Sequence, residues 1–211
     1  CDHQREQAAL WGFEDGDNLA VEQFMHDFYR RALALGHLND VLIHNFDQAI
    51  LHSDKEDEIS VLNERFQVRN GYIEARDNEL FSNTPTALLE VFLLCATNEH
   101  IEGVAAPTIR LIRNNRHLVD DAFRADPQNK RTFLDSVRAP HKMARQLRRM
   151  ERYGILGKYL PEFGQIMGQI QHDLFHTYTV DAHTLEVVKN TRRFQYPDFE
   201  ERFPVSSRVA R

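Results

Sequence analysis

The stretch from Gln169 to Val187, QIQHDLFHTYTVDAHTLEV, holds three histidines and two aspartates. Imidazole and carboxylate groups ligate divalent metals and exchange protons near neutral pH. On a helix, His172 and His176 stand four residues apart on one face, close enough to grip one ion, and Asp173 lies three before His176. Thr177 to Val180 interrupts such a helix, because β-branched and aromatic side chains lose rotamer freedom against the preceding turn. Asp181 and His183 follow the break. His172, His176 and His183 are then either three ligands of a zinc site with an open fourth position, or buried hydrogen-bonding groups partnered by the neighbouring aspartates. Asp181 is expected to cap a helix beginning around His183, its carboxylate accepting from the unpaired amides of the first turn.

Two other clusters invite the same question. Glu14 to Asn18, EDGDN, has the carboxylate spacing that holds Mg²⁺ in nucleotidyl transfer, but such sites carry a Gly-Ser dipeptide ahead of the acidic pair, and the chain contains none. It reads as a polar loop. His26-Asp27, in QFMHDFYRR, lacks a second ligand nearby and reads as a helix-surface doublet, with Phe24, Met25 and Phe28 toward the core and Asp27 able to pair with Arg31. The basic run Arg145 to Arg152 reads as a solvated or domain-facing helix surface, with an acidic or phosphate-bearing partner as the alternative.

The elements that position these residues are mostly helical. From Leu19 to Leu51, apolar residues recur three or four apart without a proline, with only Gly36 as a bend point, which predicts one long amphipathic helix. HSDKEDEIS breaks the pattern as a solvated charge cluster. In FQVRNGYIEAR, Asn70-Gly71 joins two short alternating runs, the signature of a two-residue hairpin turn. Ser82, Asn83 or Thr84 is expected to cap a helix with Pro85 in its first turn. Further helices are predicted over APTIRLIRNNRHLVDDAF, over DPQNKRTFLDSVR with Asp126 as cap, and over PHKMARQLRRMERYG ending near Gly154. The fold class is mainly α, a multi-helix array with one small β-hairpin near Asn70-Gly71.

Bulk composition narrows the function classes. A 211-residue chain with 42% apolar residues has material for a sizeable core, and its formal charge of −6 argues against nucleic-acid binding through net charge. Cys1 and Cys95 are too few for a disulfide framework, and Cys95 sits in the run LLEVFLLCAT, where a buried reduced thiol suits a cytoplasmic protein. No apolar run approaches the roughly 20 residues of a membrane span. The chain lacks an initiator Met and opens CDHQREQ, which reads as a cut inside a longer protein.

Three segments, VEQFMHDFYRRA, ERFQVRNGYIEARDNELF and MERYGILGKYLPEFGQIMGQIQHDLFHTYTVDAHTLEVVKN, resemble the middle of the bacterial bifunctional PII uridylyltransferase and uridylyl-removing enzymes. The likeness runs from about Leu19 to Phe203. It implies the order nucleotidyltransferase domain, helical domain, HD phosphohydrolase domain and paired ligand-sensing domains. On it, residues 1–18 are a linker from an absent nucleotidyltransferase domain, 19–165 the helical domain, and 166–211 the beginning of a truncated HD domain.

The resemblance also reassigns the histidines. The family's HD site runs His, a later His-Asp doublet, then a distant Asp. The first His is the one in VDAHTL, here His183, and the doublet falls beyond Arg211. On the resemblance, His172 and Asp173, with His176, are expected to be structural or to stand behind the ligands, orienting the His183 helix or closing the side of the pocket. The implied activity is attachment of UMP from UTP to a tyrosine of the PII signal protein when glutamine is scarce, and its hydrolytic removal, with Mg²⁺ or Mn²⁺, when glutamine is abundant. The 211-residue chain requires no cofactor itself and is expected to be inactive alone. It is expected to use neither nucleic acid nor membrane. The rival reading is a stand-alone helical interaction module with a structural histidine cluster or a zinc site.

Overall fold

A computed structural model describes residues 3–51, 57–139, 142–170 and 179–210. The described residues form mainly helices with one small sheet, and the chain divides into two compact units, residues 31–165 and residues 1–30 together with 166–211. None of the described helices is long and apolar enough to cross a membrane. The helices α1 (Gln4–Leu10) and α2 (Ala20–Leu51) come first, and α2 contributes to both units.

In the unit of residues 31–165, strands β1 (Ile59–Val61), β2 (Phe66–Arg69), β3 (Tyr72–Ala75) and β4 (Gly103–Val104) form a sheet in that order. The predicted hairpin is present: β2 and β3 are antiparallel with Arg69 opposite Tyr72, and Asn70 and Gly71 take φ of 50° and 83°. Two left-handed residues in a row are what a type I′ turn requires, and its twist matches the strands it joins. The sheet is wider than a hairpin. The end of the expected charge cluster, Ile59 and Ser60, pairs antiparallel with β2, and β4 adds in parallel to β3. Both added strands are too short for a period-2 pattern to show. The segment from His52 to Glu56 lies outside the described residues.

Helices α3 (Leu80–Asn83), α4 (Ala87–Thr97), α5 (Ala106–Asn115), α6 (Asp121–Ala125), α7 (Pro127–Arg138), α8 (Met143–Arg152), α9 (Leu156–Tyr159) and α10 (Pro161–Ile166) complete the array. The cap expected at Ser82 to Thr84 is not one. Burial of Leu80 and Phe81 winds these residues into α3, whose last bond runs from Thr84 N–H to the Leu80 carbonyl at 2.8 Å. Pro85 then sits in the turn between α3 and α4, where its missing N–H leaves no helical bond unmade. The helix expected from Ala106 to Phe123 is likewise interrupted. Asp120 adopts an extended conformation and accepts from Phe123 N–H at 2.8 Å, restarting the chain as α6. Asp126 caps α7 as predicted, accepting from Gln128 N–H at 2.6 Å with Pro127 in the first turn.

Helix α4 is apolar nearly all round, and Leu88, Leu89, Val91, Phe92 and Cys95 are completely buried, so it is the axis of the core. It packs against α7 and α8. Phe92 meets Tyr153 with ring centroids 6.1 Å apart. Burial raises the Cys95 thiol to about 11, so it remains protonated and inert at neutral pH, in line with its sequence reading. Lys142 takes φ of 59° and aims its ammonium at the carbonyls of Asn98, Glu99 and Ile101, at 3.2, 2.6 and 3.0 Å. One charge thereby closes the loop that leads from α4 to β4.

The basic run of α8 is largely committed inside this unit. Arg149 donates to the Glu102 carbonyl and Arg152 to Asp40, while Arg145 is exposed. Helix α2 continues unbroken through Gly36. A Cβ there would stand 3.3 Å from Arg152 Cγ, so the glycine serves a close approach rather than a bend.

His44 is the buried anchor of this half of α2. Its Nδ1 accepts from Ala106 N–H at 3.4 Å, and its ring stands edge-on to Tyr72 with centroids 4.6 Å apart. Burial holds its pKa below the usual 6.5, against the opposing pull of Asn45, Glu74 and Asp47. A histidine depressed in the folded state favours folding while it is neutral. Stability is therefore full above about pH 6.5 and falls as acid protonates the unfolded chain first, with a slope of at most about 1.4 kcal/mol per pH unit. Urea melts at pH 7.5 and 5.5 should show a smaller acid loss in His44→Asn than in wild type; equal losses would exclude His44 as the source.

Candidate functional site

The unit of residues 1–30 and 166–211 carries the histidine-bearing segment, with α11 (Val180–Arg193) and α12 (Pro204–Val209). Its entry loop is the polar loop expected of EDGDN. Asp15 accepts from Ala20 N–H at 2.7 Å, at the start of α2, and Gln23 reaches back to the carbonyls of Glu14 and Asn18 at 2.8 and 3.0 Å. The carboxylate thus finishes a helix end, where four backbone amides lack partners.

The chain returns over the first turns of α2 at Met167 to Gln169. His26 is half-buried and donates through Nε2 to the Met167 carbonyl at 3.0 Å, so it is a packing contact rather than the expected surface doublet. Gly168 has φ of 74°, and a Cβ there would meet Arg30 Cγ at 2.9 Å and Arg30 N at 3.1 Å. Only glycine meets both conditions without displacing its neighbours. A polar cleft of about 550 Å³ opens beside this crossing, lined by Glu22, His26, Asp27, Arg30, Gln169 and others.

Helix α11 begins three residues earlier than expected. Val180 N–H donates to the Gln169 carbonyl at 2.9 Å, and Thr179 takes the extended cap position without a side-chain bond. Asp181 is consequently inside the first turn, not a cap. It is completely buried, and its Oδ1 accepts from Gly168 N–H at 3.1 Å while Oδ2 has no hydrogen-bond partner among the described residues. A carboxylate is tolerated there because a helix N-terminus and an inward amide both favour negative charge. Asp181 and Gly168 together pin the start of α11 to the crossing segment. Sequence reasoning singled out Asp181 but gave it the role of a cap, and missed Gly168, although an isolated glycine just before the histidine run was a visible signal.

His183 follows on the same turn. Its N–H bonds the Thr179 carbonyl at 2.9 Å, and its side chain is exposed, leaving the imidazole free to meet a ligand. His172, Asp173 and His176 lie outside the described residues. Among the described residues, no group of three or more His, Cys, Asp or Glu side chains is placed to hold a metal ion. Of the expected ligand and its supporting residues, the structure describes His183 alone.

The described residues make a mainly helical protein with one small sheet, and sequence comparison shows its family. The family model described as the uridylyltransferase GlnD third domain matches residues 66–159. The chain is 51% identical over 209 residues to the bifunctional uridylyltransferase/uridylyl-removing enzyme of Pseudomonas aeruginosa, 50% to that of Azotobacter vinelandii and 47% to that of Pseudomonas putida. Each match covers 99% of this chain and 23% of the relative. The chain belongs to the family of bifunctional uridylyltransferase/uridylyl-removing enzymes and spans about a quarter of the length of these relatives. No solved structure matches it.

Proposed function

We propose that this chain is the central part of an enzyme that attaches UMP from UTP to a tyrosine of the PII signal protein and removes it again as glutamine levels change. The carrying observation is identity of about half the residues along the whole chain to proteins named for both activities. That extent favours the reading over a stand-alone helical module, whose likeness would stop at a domain edge. The array of residues 31–165 serves as a rigid internal domain, and α11 presents His183 as the first ligand of the HD site.

A divalent ion at the completed site would supply a water activated for attack on the uridylyl-tyrosine phosphorus. The chain's own contribution is positional. Gly168 and Asp181 fix the helix start, and the helix start aims the imidazole. Because the remaining ligands belong to other sequence, the 211-residue chain is expected to hydrolyse nothing by itself. Incubation with uridylylated PII and Mg²⁺ or Mn²⁺ should release no UMP beyond background. Multiple-turnover release would overturn the proposal.

A further inference from the structure

In the unit of residues 31–165, the second half of α2 holds its own fold with a polar edge. Gly36 approaches Arg152, Asp40 accepts from Arg152 and, at 3.0 Å, from the Tyr153 hydroxyl, His44 is buried against Tyr72, and the Asp47 carboxylate helps burial hold the Tyr72 hydroxyl above its usual pKa. These residues recur three or four apart and mark the inward face. The apolar stripe lies elsewhere. Leu35, Leu38, Leu42, Ile43, Phe46 and Ile50 keep 61, 45, 52, 53, 60 and 69% of their surface exposed. At 1.5 Å per residue they make a ridge about 22 Å long.

This arrangement is the reverse of a soluble surface helix, whose apolar stripe faces its core. Contiguous exposed apolar surface of this extent marks an interface. Its chemistry marks the kind. Between Ala32 and Ile50 the only Asp, Glu, Lys or Arg residues are Asp40, bonded inward, and Asp47, half-buried and acting on Tyr72, and the exposed residues flanking the ridge include neutral Asn39 and Asn45. Charge depletion over an apolar centre is typical of contacts that are never solvated.

We propose that this ridge is a permanent contact within the full-length polypeptide, covered by an apolar helical face from sequence outside these 211 residues. The occupant follows from length. The relatives match almost all of this chain with 23% of their own residues, so more than three-quarters of each lies beyond the matched stretch and is tethered to it. A tethered face needs no affinity of its own to find the ridge, because its effective concentration is high. The inference rests on membership of a family of much longer proteins, not on the activity proposed above.

Hydroxyl-radical footprinting with mass spectrometry tests it without any substitution. Oxidation of Leu42 and Phe46 should be at least about fivefold slower in the monomeric full-length protein than in the monomeric 211-residue chain, as half-exposed side chains become interface core. Buried Phe92 should be slow in both. Equal rates at the ridge in the two proteins would overturn the proposal. So would ridge protection that rises with concentration alongside a doubling of mass by sedimentation, since the occupant would then be a second copy. As a second readout, Leu42→Ser should leave the melting temperature of the 211-residue chain unchanged and lower that of the full-length protein; no change in either would also overturn it.

Discussion

Replacing His183 by Ala in the full-length protein is expected to slow UMP removal from its protein substrate by more than about 100-fold, since even supporting partners of metal ligands contribute about 10- to 100-fold. On the proposed reading, UMP attachment would depend on a different domain and should stay within a few-fold of wild type. The structural setting makes the test clean. His183 is exposed in the first turn of α11, Ala is a strong helix former, and exposed substitutions of this kind shift stability by about 0.5 kcal/mol or less. Loss of removal with an unchanged melting curve therefore reports chemistry rather than unfolding. Asp181→Ala is the contrasting variant. It takes away the acceptor of Gly168 N–H in a fully buried position, so it should lower stability by about 1 to 3 kcal/mol and misplace His183 as a consequence. Wild-type removal rates in His183→Ala, measured with radiolabelled UMP on the protein substrate, would exclude His183 as a ligand.

Phe92→Ala is expected to destabilise the chain by about 3 to 5 kcal/mol, the range for emptying a large aromatic site in a packed core. The melting temperature should fall by about 6 to 20 °C at about 2 to 4 °C per kcal/mol. Phe92 is completely buried on α4 and packs against Tyr153, whose hydroxyl in turn bonds Asp40 of α2. The cavity would therefore loosen the support of α2 as well as the core. Phe46→Ala provides the control. Both phenylalanines sit in apolar helical patterns, yet Phe46 is 60% exposed, and its truncation in the 211-residue chain should change stability by less than about 0.5 kcal/mol. Calorimetry of the two variants decides the orientation of α2. A large loss in Phe46→Ala would mean that its apolar stripe faces the core after all.

That contrast separates what was readable from what was not. The extent of α2, the cap at Asp126 with Pro127, the hairpin at Asn70-Gly71 and the buried thiol of Cys95 were legible because each depends on local sterics or composition. The short helix α3, where capping residues were expected, and the break at Val119-Asp120 were not. Burial of Leu80 and Phe81 winds the first, and burial of Phe123 accompanies the restart after the second. Asp181 was misread for a related reason. An Asp just before a helix is a good cap, but the helix starts earlier because Val180 finds the carbonyl of Gln169.

The sequence by itself determined that this chain is helical, that it carries an Asn-Gly hairpin, and that His183 stands near a helix start, since turns and caps are set by residues within a few positions of each other. Only the tertiary structure decided which side of α2 faces inward, what Lys142 closes and what Asp181 holds. Periodicity shows that a stripe exists. Which stripe is buried depends on the surface it meets, and here Asp40 meets Arg152 and Tyr153 more than a hundred residues along the chain, a pairing no local pattern encodes.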